Sequence, residues 1–346
     1  MKLRHGNGWL SSQGPESDIV LSCRARLARN IGGFPFTGRA SGAQRIEILA
    51  LAKRAVLDAR FDDTMLWIEL NQVTPRDRRL LMERHLISAH LAEGDAPRGV
   101  AVSGDESLSI MINEEDHLRM QVLMPGFQLS TASQRIDRVD DALEERLEFS
   151  FSERFGFLTA CPTNVGTGLR LGVMVHLPAL KLTGEIDRVR RAARDLHLAV
   201  RGFFGEGSES AGDFYQISNQ ITLGASERDL LDQFERDIVP QLIEYERAAR
   251  KVLVERRASL LDDRVHRAMG VLRNARLLGS DEAMKLLSRV RLGVHMGRLS
   301  GVDGRAVNEL FLQVQPAHLK LHAQAELDAD ELRQARAALV RERLGG

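Results

Sequence analysis

Five arginines stand where a chain can use them on phosphate. Arg24 and Arg26 lie two residues apart in an alternating segment, DIVLSCRARL, with Ser22 on the same face. In an extended strand that spacing sets two guanidinium groups about 7 Å apart, so each planar fork can take oxygens from a different phosphoryl group. Arg119, Arg170 and Arg201 stand at three further junctions between strand-like segments and loops. One such arginine alone reads as a solvated surface residue. Five at strand edges and loop mouths point to a polyphosphate. Carboxylates accompany them: Glu114, Glu115 and Asp116 in one loop, Glu206 and Glu209 in another. Together they can hold an anionic phosphate donor beside a cationic acceptor.

The run CPTNVGTGLR, residues 161–170, adds a thiol. Cys161 precedes a proline, small residues and hydroxyls, with neither helical nor strand periodicity, so the segment reads as a functional loop. Cys23 falls on the apolar face of its strand and reads as a buried, inert thiol. His85 and His117 lack metal-ligand spacing and are expected to make polar contacts instead. There is no GxxxxGK[ST] loop and no HRD or DFG motif, which excludes a P-loop enzyme and the common protein-kinase fold.

Several elements must position these groups. Residues 18–27 alternate as a strand, with Leu21, Cys23, Ala25 and Leu27 on one face. Helices are expected over 41–58, opening after Ser41, over 75–86, opening after Thr74-Pro75, and over 131–149, where Ile136, Val139, Leu143 and Leu147 form one stripe. Strands are expected over 107–113, 169–177, 197–204 and 213–224, the last two joined by the glycine-serine loop GEGSESAG. From Ser226 onward the pattern is almost wholly helical, with Gly270, Gly279, Gly293 and Gly297 expected at breaks. The fold class is therefore α+β: an antiparallel sheet flanked by helices over residues 1–255, then an all-helical C-terminal domain over 256–346.

The 346 residues suffice for a substantial core, and 48 basic against 48 acidic side chains give no support for a nucleic-acid or polybasic membrane partner. Two cysteines exclude a cysteine-built zinc site and a disulfide scaffold and suit a reducing, cytoplasmic compartment. No stretch approaches the ~18 apolar residues of a membrane span, and the start carries no signal core.

The runs DIVLSCRARLARN, INEEDHLRMQ, PGFQL, CPTNVGTGLR, HLPAL, RGFFGEGSE and QISNQITLG resemble the phosphagen (guanidino) kinase superfamily, and more closely the bacterial protein arginine kinases of the McsB family. The resemblance spans nearly the whole chain. It implies transfer of the γ-phosphoryl group of ATP, with Mg2+, to arginine side chains of proteins, marking them for Clp-type proteolysis in protein quality control and the stress response. It implies a nucleotide site formed by Ser22, Cys23, Arg24, Ala25 and Arg26, by His85 and Arg119, by Arg170, Leu171, Gly172, Val173 and Met174, and by Arg201, Gly202, Phe203, Phe204, Gly205 and Glu206. Glu115 and Glu206 would face the acceptor guanidinium with Cys161 beside it, where a thiolate can orient and polarise the cation. Magnesium would travel with ATP, so no protein ligand is expected. Implied partners are substrate proteins with accessible arginines, a Clp chaperone-protease, an activator protein and a second copy of the chain.

Two other readings stay open. A small-molecule guanidino kinase would, by the same resemblance, carry a helical domain before its SxRxR strand. Here SCRAR begins at residue 22 and the extra helices follow instead, which favours a protein acceptor. A non-catalytic phosphoarginine-binding adaptor would have no need of Cys161, Glu115, Glu206 and five arginines. One departure stands out. Relatives end in an RDxxRA motif that binds phosphoarginine, whereas this chain reads LRQARA over 332–337, with Leu332 and Arg333 in place of the Arg-Asp pair. Loss of binding is expected, unless Arg336, Arg341 or Asp330 re-forms the pocket.

Overall fold

A computed structural model of the chain describes residues 8–10, 14–62, 64–203 and 211–345. At its centre lies β1 (Val20–Arg29), paired antiparallel with β5 (Leu118–Pro125) on one side and β8 (Leu169–His176) on the other. The sheet extends past β5 through β4 (Leu108–Ile112), β3 (Gly99–Val102) and β2 (Leu66–Glu69), and past β8 through β10 (Phe214–Asn219) to β9 (Leu198–Arg201). Every pairing is antiparallel. Cys23, Ala25 and Leu27 enter the main core, where the expected stripe Ile136, Val139 and Leu143 of α4 (Leu129–Glu144) is buried with them. The opposite face carries Ser22, Arg24 and Arg26.

Local chemistry sets the helix starts. Ser41 and Gln44 form a reciprocal capping box at the head of α1 (Gly42–Ala59), and Thr74 caps α2 (Pro75–Glu83) with proline at its first position. The far end of α2 departs from the sequence reading. The helix stops at Glu83 rather than 86, because His85 adopts φ 59° while its N–H reaches the Met82 carbonyl and the Leu86 N–H reaches Leu81. This is a Schellman closure with histidine in the usual glycine place. The His85 ring, set edge-on to both Trp9 and Phe203 at 5.2 Å, supplies a reason for the unusual residue.

Three further bounds differ. Helix α4 ends at Glu144, although Leu147 remains buried. The strand expected to run to 224 ends at Asn219, whose side chain takes over the pairing by accepting from the Leu171 N–H and donating to the Leu169 carbonyl. Gly270 and Gly293 lie inside α9 (Ala258–Asn274) and α10 (Ser280–His295) rather than at breaks, while Gly279 and Gly297 do flank α10. A Cβ on Gly293 would sit 2.3 Å from a Val265 methyl, so close packing of the two helices explains that glycine.

From Ser226 the described chain is helical, as expected: α7 (Glu227–Gln233), α8 (Val239–Arg256), α9, α10, α11 (Gly304–Gln313), α12 (Pro316–Ala323) and α13 (Ala329–Leu344). The last five helices share a second core with Trp9, Leu10, Leu123, Met174, Phe203 and Phe214. Buried Arg291 of α10 fastens this core to the sheet, donating to the carbonyls of Ser17 and Asp18 and to His176 Nδ1. Among the described residues no helix is long and apolar enough to cross a membrane.

Candidate active site

Strand register assembles the arginines. Residues directly opposite one another in a ladder project to the same face. Arg26 lies opposite Gln121 on β5 and opposite Arg170 on β8, and Arg119 is two residues from Gln121. Arg24 lies opposite Gly172, which pairs with Ser218 of β10, and Gln216 of β10 pairs with Arg201 of β9. Arg24, Arg26, Arg119, Arg170 and Arg201 therefore share one face across five adjacent strands. Three of them, Arg24, Arg119 and Arg201, meet at a cavity of about 170 Å³ that Glu114, His85 and Gln216 also line.

The cluster is under electrostatic strain. Burial, then Arg119, Arg201 and Arg170, lower Arg24 to about 10. Burial, then Arg119, Arg24 and Arg170, push Arg26 well below its usual value. Arg24 has one neutral partner, Gln216 Oε1 at 3.3 Å. Glu114 offsets part of the charge, accepting from Arg119 at 2.6 Å and from Ser88 at 2.7 Å. Burial works to raise the Glu114 carboxyl, but Arg119 and these hydrogen bonds overcome it and hold the group at about 2. Cations in this excess can hold an anion, since their planar forks stand together on one face.

A carboxylate and a thiol border the cluster near Arg26 and Arg170. Glu115 is raised by burial, then by Asp116 and Glu114, with Arg119 and Arg26 pulling the other way. Buried Asp116 joins its loop to the cysteine loop, one oxygen accepting from Asn30 Nδ2 and from the Ala160 N–H, each at 2.7 Å. Cys161 stands at the head of a short turn, Pro162–Asn164, which accounts for the Cys-Pro step. Its Sγ lies 3.0 Å from Thr163 Oγ1, which accepts from Arg170, while Arg170 Nε donates to Asn164 Oδ1 at 2.8 Å. Gly166 turns at φ +109° against the Thr222 carbonyl, where a Cβ would approach to 2.6 Å. The small residues are thus needed to bend the loop back and deliver Arg170 beside the thiol.

Not every expected residue reaches this face. Cys23, Ala25, Leu171 and Val173 point into the main core, since alternation turns every second side chain away. Cys23 Sγ accepts from the Gln128 N–H, and burial pushes its thiol up to about 12, in keeping with an inert role. Ser22, Gly172 and Met174 do line the arginine side, next to His85, and Val173 also borders that pocket. Burial, then Arg24, hold His85 down at about 3, so it stands neutral. Gly202 and Phe203, which follow Arg201, are buried. Phe204, Gly205, Glu206 and Glu209, with most of the glycine-serine loop, lie outside the described residues. His117 makes polar contacts, as expected: Nδ1 accepts from the Ile31 N–H and Nε2 donates to the Pro35 carbonyl. Gln121, Gln216 and Ser88 are additions; both glutamines alternate with apolar residues along their strands, which is the signal that marks them. Among the described residues no group of three His, Cys, Asp or Glu is placed to hold a metal.

The C-terminal LRQARA stretch is committed elsewhere. Arg336 is buried, donating to the carbonyls of Val314 and Leu278, each at 2.8 Å. Arg341 donates to the Ala275 carbonyl, and Arg333 pairs with Asp330 at 3.7 Å. Nε and Nη1 of Arg336, the residue expected to offer a fork to phosphate, thus hold helix ends together.

Comparison with known proteins identifies the family. The family model for the ATP:guanido phosphotransferase C-terminal catalytic domain matches residues 47–249, and that for the protein-arginine kinase McsB C-terminal domain matches 258–346. A protein-arginine kinase of Halalkalibacterium halodurans is 47% identical over 97% of this chain and 94% of its own length. One from Geobacillus stearothermophilus is 47% identical over 98% of this chain and 93% of its own. Among solved structures, a lombricine kinase is similar at 28% identity and TM-score 0.60, over 69% of each chain. The duplicated taurocyamine kinase of Schistosoma mansoni, solved with transition-state analogue components, is similar at 25% identity and TM-score 0.62, over 71% of this chain and 35% of that one.

Proposed function

The chain belongs to the ATP:guanido phosphotransferases, in the protein-arginine kinase family, and from that premise we infer how its own residues carry the reaction. It is a protein-arginine kinase, with ATP as phosphoryl donor and protein arginine as acceptor. In our reading Arg24, Arg26, Arg119, Arg170 and Arg201 take the triphosphate, with Ser22, Gly172, Met174 and neutral His85 beside it. Arg201 leads into Phe204, Gly205 and Glu206, which we keep in the site from the sequence. Glu115 and Glu206 grip two edges of the acceptor guanidinium, and Cys161 orients it.

The bond between the γ-phosphorus and the oxygen leaving with ADP breaks as a phosphorus–nitrogen bond forms to the guanidinium. The nitrogen gives its proton to a carboxylate. Arginine holds its protons tightly, so this acceptor must be placed and basic enough; the raised Glu115 suits the task. Charge spreading over the phosphoryl oxygens in flight meets the arginine forks, so catalysis is alignment plus charge stabilisation. Mg2+ would arrive with the nucleotide, held by phosphates and water and neutralising phosphate charge. Glu114 is already taken by Arg119 and Ser88, which fits a metal carried by the nucleotide.

The observation that carries the reading is the strand register that puts five arginines on one face, with Glu115 and Cys161 bordering it. Its test is incubation with ATP, Mg2+ and an arginine-rich unfolded protein beside free arginine, with acid-labile phosphate on each read by mass spectrometry at neutral pH. Phosphate on the protein supports the reading; phosphate on free arginine alone supports a small-molecule guanidino kinase. The break at Arg257 between α8 and α9 supports a division into residues 1–255 and 256–346, and exposed Leu260, Leu277 and Leu321 support a homodimer through the helical part. A cytoplasmic setting, an activator and delivery of marked proteins to a Clp-type protease complete the proposal; the two free thiols support the first.

A further inference from the structure

Three backbone segments meet beside Cys161. A small hairpin, β6 (Phe151–Ser152) with β7 (Gly156–Phe157), is bridged from Phe157 to Gly166. Gly166 in turn abuts Thr222 and Leu223, and Thr222 Oγ1 donates to the carbonyls of Val165 and Thr163 at 2.8 and 3.2 Å. Residues 151–157, 163–166 and 221–223 therefore form one layer continuous with the cysteine turn. Four large apolar side chains stand out from it: Phe151 is 58% exposed, Phe155 43%, Ile221 53% and Leu223 49%. The hairpin rests on a fixed base, since the Arg29 guanidinium lies 3.5 Å over the Phe157 ring and is itself paired with Asp140. Arg154 lies over Phe155 at 5.0 Å and still leaves it exposed. A single exposed apolar residue is ordinary; four on one layer beside a candidate catalytic thiol mark a contact surface.

What crosses this surface follows from the acceptor. An arginine within a protein reaches Cys161 with chain continuing on both sides. An extended chain advances about 3.3 Å per residue, so side chains two to four positions from the arginine lie roughly 7–13 Å away, on the surface around the thiol. A folded domain keeps most of its large apolar side chains in its core. Segments that offer an arginine and apolar flanks together are therefore unfolded ones. We propose that Phe151, Phe155, Ile221 and Leu223 form a docking rim for an extended polypeptide with apolar side chains within a few residues of the target arginine. The proposal rests on the placement of the acceptor beside Cys161 argued above.

The test compares kcat/KM of the full chain for two peptides, each with one central arginine, flanked by leucine and phenylalanine in one and by serine in the other. The wild type should prefer the apolar peptide by about tenfold or more, as a few buried apolar groups suffice for such discrimination. A Phe155→Ser, Leu223→Ser double variant should lose the preference while keeping its melting temperature, its KM for ATP and its rate on the serine peptide. Equal wild-type rates on the two peptides, or a preference kept by the variant, overturn the rim and leave the kinase reading standing. A change from dimer to monomer in the variant, seen by sedimentation, overturns it too and assigns the surface to a second copy. Phosphate on neither peptide removes the placement of the acceptor and the rim together.

Discussion

Burial pushes up both Glu114 and Glu115, and only Glu114 escapes, because Arg119 stands against it at 2.6 Å. The two neighbours are thereby given different work. Glu115→Gln keeps the shape and loses the proton acceptor, so kcat should fall about 100-fold with ATP affinity unchanged. The same raised pKa sets the pH profile. In the proposed mechanism Glu115 acts as a carboxylate, so activity should fail on the acid side at a higher pH than an ordinary glutamate would give; a pH–rate series checks this. Glu114 is lowered from 4.5 to about 2, so its stabilisation is complete above 4.5 and is lost as pH falls toward 2. At neutral pH Glu114→Gln should cost about 3 kcal/mol, and thermal melts should show the gap to wild type closing across that acid window. Arg24 behaves oppositely, being held among like charges. Arg24→Ala should weaken ATP binding at least tenfold by calorimetry, leave acceptor binding nearly unchanged, and leave the melting temperature the same or higher.

At the scale of elements, alternation in residues 18–27 foretells both faces of β1, and the cap residues foretell the starts of α1 and α2. What lies across the ladder from β1 is not legible in that way. β5 carries Leu118, Met120 and Val122 inward with Arg119 and Gln121 outward, the same signal as β1, yet the acidic loop before it draws attention to its charges instead. The end of α2 is hidden because a histidine does what glycine usually does, under the pull of two distant rings. The arginines and Glu115 were legible as residue types; their meeting depends on strand pairings that no local pattern states. Arg336 shows the reverse case, a motif residue whose role is packing. Arg336→Ala would strand two buried carbonyls and should cost about 2 kcal/mol or more in denaturant unfolding. With Arg336 so engaged, and Leu332 and Arg333 in place of an Arg-Asp pair, titration of free phosphoarginine should show no saturable micromolar binding at this stretch.

At the scale of the whole molecule, the helical region is part of the support of the arginine-bearing face. Trp9, Phe203 and Phe214 belong to its core, and Arg291 holds the carbonyls just before β1. A chain cut after residue 257 would expose that apolar surface and free those carbonyls, so it should fail to unfold cooperatively, which circular dichroism on heating would reveal. The central claim is that one face of the sheet holds ATP and passes its phosphoryl group to protein arginine through Glu115 and Cys161. The most direct measurement is phosphoarginine formed on an unfolded protein by wild type, Glu115→Gln and Cys161→Ala, by mass spectrometry at neutral pH, with ATP binding measured on the same samples. The expected result is phosphoarginine from the wild type, a loss of about 100-fold in each variant, and equal ATP affinity in all three. Wild-type turnover in either folded variant would contradict the account.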